Sequence, residues 1–199
     1  MSAGAEVGHA EVAHNPSASK LDPSRAALVV IDIQEAFRKA IPVFDDVAVA
    51  AGVLVEGAKV VGIPVVATEQ YPKGLGRTVP EVADHLPDET HPIEKVVFSA
   101  AEADGFGLGG ADQALVCGIE THVCVNQTVI DLLASGVDVH VAEDAVASRS
   151  KRNWRLGLEK VERAGATLTS VETALFELVG RAGTDEFKQV QRLILEYAP

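Results

Sequence analysis

The sequence predicts an α/β fold in which a mostly parallel sheet of about five or six strands is covered by helices on both faces. Three observations predict it. Short β-branched runs such as Ala26 to Ile33 (AALVVIDI) are apolar on both faces, as the strands of a buried parallel sheet are. These runs alternate with segments of helical apolar spacing, the pattern of repeated strand-helix-strand units. The 199 residues, 47% hydrophobic and 23% charged, suit a single domain that buries roughly 70% of its unfolded surface.

Residues 1–25 are small, polar and without apolar periodicity, which predicts a flexible arm ahead of one domain over 26–199. The arm lacks the apolar core of a secretory signal. Its His9 and His14 are too few to form a metal site. Ala26 to Ile33 is the first strand, and Asp32 near its end lies where open α/β sheets bind ligands. At that position the carboxylate is either a structural acceptor or a site residue. Val47 to Val61 is a helix closed by Gly62, and Ile63 to Thr68 is the second strand. A loop from Glu69 to Gly76 follows at the same sheet end as Asp32.

Val79 to Leu86 reads as a short helix and Glu94 to Ser99 as a short strand introduced by Lys95, where a lysine is ordinarily a solvated charge. Gly105, Gly107 and Gly110 match the dinucleotide fingerprint by spacing, but they lead into a strand instead of opening a helix, so no phosphate site follows. Ala114 to Cys117 is the next strand; the chain bends at Gly118 and resumes as a helix from Thr121 to Leu133. Then come a strand from Val137 to Ala142, a loop from Glu143 to Arg149, a helix from Arg152 to Ala164, a strand from Ala166 to Thr169, and helices from Glu172 to Val179 and Asp185 to Tyr197.

A net charge of −12 provides no basic stripe for a nucleic acid or an anionic membrane, which leaves a small-molecule substrate as the expected partner. Two cysteines without a disulfide framework fit a reducing, cytoplasmic setting. Cys117 lies inside an apolar strand and reads as packing. Cys124 lies in the first turn of the predicted helix, where unpaired N–H groups and the helix dipole favour a thiolate, so it reads as the candidate nucleophile.

The strings VVIDIQEAF, TEQYPKGLG, EKVVFSA and GIETHVCVNQT, in this order, resemble the isochorismatase-like cysteine hydrolases, and within them the isochorismatase-domain-containing proteins. The resemblance runs from about Ala26 to Val179. It implies a three-layer α/β/α sandwich of Rossmann-like architecture and a triad at Asp32, Lys95 and Cys124. It also implies a cis peptide between Ile119 and Glu120, with the backbone N–H groups of Glu120 and Cys124 forming an oxyanion hole, and a homo-oligomer. By the same resemblance Glu69, Gln70 and Tyr71 contribute to the substrate pocket, together with Phe37 and His122; for His122 a subunit contact is the other reading.

The chemistry follows from the residue types. Asp32 can accept the thiol proton and return it to a leaving group, while Lys95 supplies a positive charge that holds the thiolate and keeps the carboxylate ionised. Attack on a carbonyl-like carbon then gives a thioester-type intermediate. Family members that hydrolyse nicotinamide carry paired metal-binding histidines soon after the first triad residue. Phe37 to Val53 contains no histidine, so neither a metal nor any other cofactor is expected. Cleavage of a small amide or related C–N bond is favoured over vinyl ether hydrolysis of the isochorismate type, for which the cysteine is dispensable. Two non-enzymatic alternatives remain at this stage: a binding protein on the same fold, and a redox-responsive protein in which Cys124 is oxidised.

Overall fold

The structure, a computed structural model, describes residues 19–197. Six parallel strands form one sheet in the order β3-β2-β1-β4-β5-β6. They are β1 (Ala26–Ile31), β2 (Val65–Gln70), β3 (Ile93–Lys95), β4 (Gln113–Ile119), β5 (Asp138–Ala147) and β6 (Thr167–Thr169). One face is covered by α1 (Phe44–Val61), α6 (Val171–Val179) and α7 (Asp185–Tyr197), whose buried side chains share a core with Leu28, Val30 and Cys117. The other face carries α4 (Asn126–Ala134) and α5 (Lys151–Ala164), packed on Val29, Ile31 and Val116. Single-turn helices α2 (Pro72–Leu75) and α3 (Pro80–Ala83) lie between β2 and β3. Among the described residues, no helix is long and apolar enough to cross a membrane.

The two central strands, β1 and β4, were the longest apolar runs, and both are fully buried. Sheet order reverses between them. The crevice beyond their carboxyl ends is therefore the switch point at which such sheets hold ligands. Gly118 is required there: it sits at φ 125°, and a Cβ would lie 2.1 Å from the carbonyl oxygen of Ile31. The close approach brings the end of β4 against the end of β1.

Four expectations need correction. The third strand stops at Lys95 instead of running to Ser99, and Val96 is 76% exposed. The reason is that the next carbonyls, Val97 and Phe98, curl back onto the Lys95 ammonium instead of pairing with a strand. The loop expected over residues 143–149 is largely strand, because β5 continues to Ala147 past a register shift that turns Glu143 and Asp144 outward. Val79 to Leu86 forms only the single turn of α3, since it must follow the irregular chain that packs against Glu69. Residues 19–25, assigned to the arm, are not free of the domain. His9 and His14 lie outside the described residues, but the segment from Ser19 is bound to the sheet: Leu21 is buried, the Asp22 N–H donates to Gln113 Oε1, and Ser19 bonds Asp138.

Candidate active site

Beyond the switch point, three strand ends deliver Asp32, Lys95 and Cys124 to one place. Asp32 follows β1 in a left-handed conformation (φ 54°), uncommon for a residue with a side chain and of a kind that clusters at functional sites. Its carboxylate is buried; Oδ1 accepts from Thr68 Oγ1 at 2.7 Å and Oδ2 from Lys95 Nζ at 2.7 Å. Lys95 is only 4% exposed, so the solvated charge expected at a strand edge is instead a buried ammonium. Besides Asp32, it donates to Gln70 Oε1 at 2.7 Å and Phe98 O at 3.0 Å, with Val97 O at 3.3 Å.

Cys124 is 6% exposed and lies in a π-helical turn, Thr121–Val125, that precedes α4. Thr128 Oγ1 locks this turn by donating to the Cys124 carbonyl at 2.7 Å while accepting from the Ala100 N–H at 2.8 Å. The local argument for a thiolate does not survive the tertiary setting. Burial, and then the Asp32 carboxylate, push the Cys124 thiol up to about 12, against a lowering by Lys95. At neutral pH the group is a thiol that needs a base beside it. Burial raises Cys117 still further, and its side chain packs in the core on the opposite sheet face from Cys124.

Both cysteines thus hold their protons more tightly folded than unfolded. Their contribution to stability is complete below the ordinary thiol value of 9.0 and, for Cys124, is lost as pH rises from there to about 12. Urea unfolding across this window should show stability falling with pH, and falling less steeply in Cys124→Ala. Parallel slopes for the two proteins would contradict it.

The Ile119–Glu120 peptide before the turn is cis. The Glu120 N–H has no protein acceptor among the described residues, while its buried carboxylate accepts from Arg149 N at 2.9 Å and Arg149 Nε at 3.1 Å. His122 is held from both sides, by Ser148 Oγ at Nδ1 (3.0 Å) and by Asn153 Nδ2 at Nε2 (3.2 Å). With a neighbouring side chain at each ring nitrogen, His122 is held as a support of the turn. Gly157 of α5 supports the same turn; a Cβ there would lie 2.8 Å from both the carbon and the oxygen of the Thr121 carbonyl. Gly157→Ala should therefore displace the turn, costing about 1–3 kcal/mol, and slow alkylation of Cys124. A melting temperature and an alkylation rate equal to wild type would show that the turn is not held this way.

The pocket residues expected from resemblance divide. Tyr71 is exposed, adopts φ 38°, and with Pro72, Lys73, Glu94, Lys95 and Val96 lines a concavity of about 310 Å3. Glu69 points away, accepting from the Thr78 N–H and hydroxyl and from Arg77. Gln70 is directed at Lys95, and Phe37 packs half-buried against the core. A second concavity of about 420 Å3 between α1 and α5 includes Ser148 and Arg149, supports of the turn, but none of the three convergent residues. Thr68, Gln34, Arg149 and Asn153 carry no local signal in the sequence, because only long-range pairing brings them to the site; Thr128 bonds the Cys124 carbonyl one helical turn away. Among the described residues, no three His, Cys, Asp or Glu side chains converge as a metal-ligand set.

Comparisons with known proteins agree with this fold. The sequence profile described as Isochorismatase domain matches residues 26–173. The secreted isochorismatase effector Isc1 of Phytophthora sojae is 40% identical over 185 residues, 89% of this chain and 88% of its own length. Isochorismatase domain-containing protein 2 of Xenopus laevis is 39% identical over 181 residues, covering 90% and 88%. Among solved structures, the MAR1 ribonuclease from Caenorhabditis elegans superposes with a TM-score of 0.85 at 39% identity, over 91% of this chain and 95% of that one.

Proposed function

The chain belongs to the isochorismatase family and has the fold of its hydrolases, and from that premise we propose that it hydrolyses a small-molecule amide or related C–N bond with Cys124 as nucleophile. The observation that carries the reading is the buried convergence of Asp32 and Lys95, 2.7 Å apart, upon the Cys124 thiol. As the sulfur attacks, its proton passes to the Asp32 carboxylate, and the carbonyl electron pair moves onto oxygen. The N–H groups of Glu120 and Cys124 receive that oxyanion. Collapse expels the amine, which takes the proton from Asp32, and water hydrolyses the thioester to an acid.

A thiol raised to about 12 is compatible with this chemistry because the thiolate forms only as the substrate is attacked. The same rise weakens the redox-responsive alternative, since oxidation follows thiolate character. Cys117, on the opposite sheet face, is not placed to resolve it. A ribonuclease reading, suggested by the name of the C. elegans relative, finds no support in a chain of net charge −12. The proposal retains a homo-oligomer and a cytoplasmic setting; both cysteines are free. A panel of small amides scored for ammonia release by wild type and Cys124→Ala tests the activity. A hit abolished by the substitution supports it, whereas vinyl ether cleavage unaffected by the substitution would replace it with the isochorismate-type reaction.

A further inference from the structure

We infer that Gln70 is a positioning residue for Lys95, so that the lysine serves as a fixed positive charge and only Asp32 exchanges a proton with the thiol. This rests on the cysteine-hydrolase reading of the site and assigns Gln70 a task other than substrate contact. An ammonium has three N–H donors and no acceptor. All three are committed: to Asp32 Oδ2 at 2.7 Å, Gln70 Oε1 at 2.7 Å and Phe98 O at 3.0 Å, with Val97 O a weaker neighbour at 3.3 Å. A hydrogen bond to the sulfur or to a substrate would have to share a donor that is already engaged. Lys95 therefore acts on Cys124 through its charge.

The amide of Gln70 is oriented for this purpose. Its Nε2 donates to the Val96 carbonyl at 3.0 Å, which leaves Oε1 as the atom facing Lys95; a flipped amide would set two donors against each other. Gln34 fixes the backbone beneath it. Gln34 Oε1 accepts from the Gln70 N–H at 2.8 Å, and its Nε2 donates to the Gln70 carbonyl at 3.1 Å and the Gly76 carbonyl at 2.7 Å. Gln70 is thus buried and held at both backbone and side chain.

On the other side, Thr68 donates to Asp32 Oδ1 at 2.7 Å and stabilises the carboxylate form. Removing the Gln70 acceptor leaves a buried ammonium one partner short and free to shift away from the thiol that its charge assists. Replacing Gln70 with glutamate cancels that charge directly.

The test measures the second-order rate of Cys124 alkylation by iodoacetamide against pH in the free protein, with Cys117→Ala as background. Gln70→Leu and Gln70→Glu are each expected to lower the rate at pH 9 by at least tenfold. Circular dichroism monitors folding, and either Gln70 variant suffices if the other does not fold. Rates within threefold of the background protein, with the effect appearing in KM alone, would overturn the inference and return Gln70 to substrate contact. Turnover that persists in Cys124→Ala would instead remove the hydrolase mechanism. The alkylation comparison separates the two failures because it requires no substrate.

Discussion

Cys124→Ala is expected to reduce turnover of any amide substrate by at least about a thousandfold, because removing the nucleophile removes the covalent route and leaves only binding and the oxyanion donors. The fold should persist. Cys124 is a small side chain at the edge of the core formed by Val125, Val129 and Leu158, and truncation to alanine removes one sulfur without stranding a partner. The stability cost should be no more than about 1.5 kcal/mol. Turnover within tenfold of wild type would remove Cys124 from the chemistry, whatever its position.

Lys95→Met should have the largest effect on stability. It leaves the Asp32 carboxylate buried without a counter-charge, a situation that costs about 3–5 kcal/mol, and in a domain of this size it should lower the melting temperature by roughly 6–20 °C. Activity should vanish as well, since nothing then offsets the negative charge that opposes thiolate formation. Asp32→Leu combined with Lys95→Met removes both charges and should recover most of the lost stability while remaining inactive. The cycle separates the two roles of the pair. A Lys95→Met protein as stable as wild type would show that Asp32 is not dependent on the ammonium, and would contradict the buried ion pair.

The two predictions differ in what made their residues visible. Cys124 could be located from the chain alone, because an apolar strand, a glycine bend and a helical start are all local signals that converge on it. Asp32 was visible as a position, at the end of the first buried strand, but its role was open. Lys95 was the weakest of the three on physical grounds, since nothing local distinguishes a buried lysine from a solvated one. Family resemblance, not periodicity, selected it. Glu69 illustrates the opposite case: expected in a loop that faces the site, it lies in β2 instead, and its carboxylate serves Thr78 and Arg77.

The sequence by itself determined the alternation of strands and helices, the burial of β1 on both faces, and the delivery of Asp32 and Cys124 to one sheet end. Those properties depend on hydrophobic period and on turn residues, which act over a few positions. Tertiary structure alone decided the acidity of the thiol, the burial of Lys95 and the task of Gln70. Each depends on groups brought together from distant parts of the chain: β2 beside β1 sets Thr68 on Asp32, and β3 beside β2 sets Lys95 on Gln70. The thiol expected to be acidic at a helix start is instead raised to about 12, because desolvation and a neighbouring carboxylate outweigh the local field.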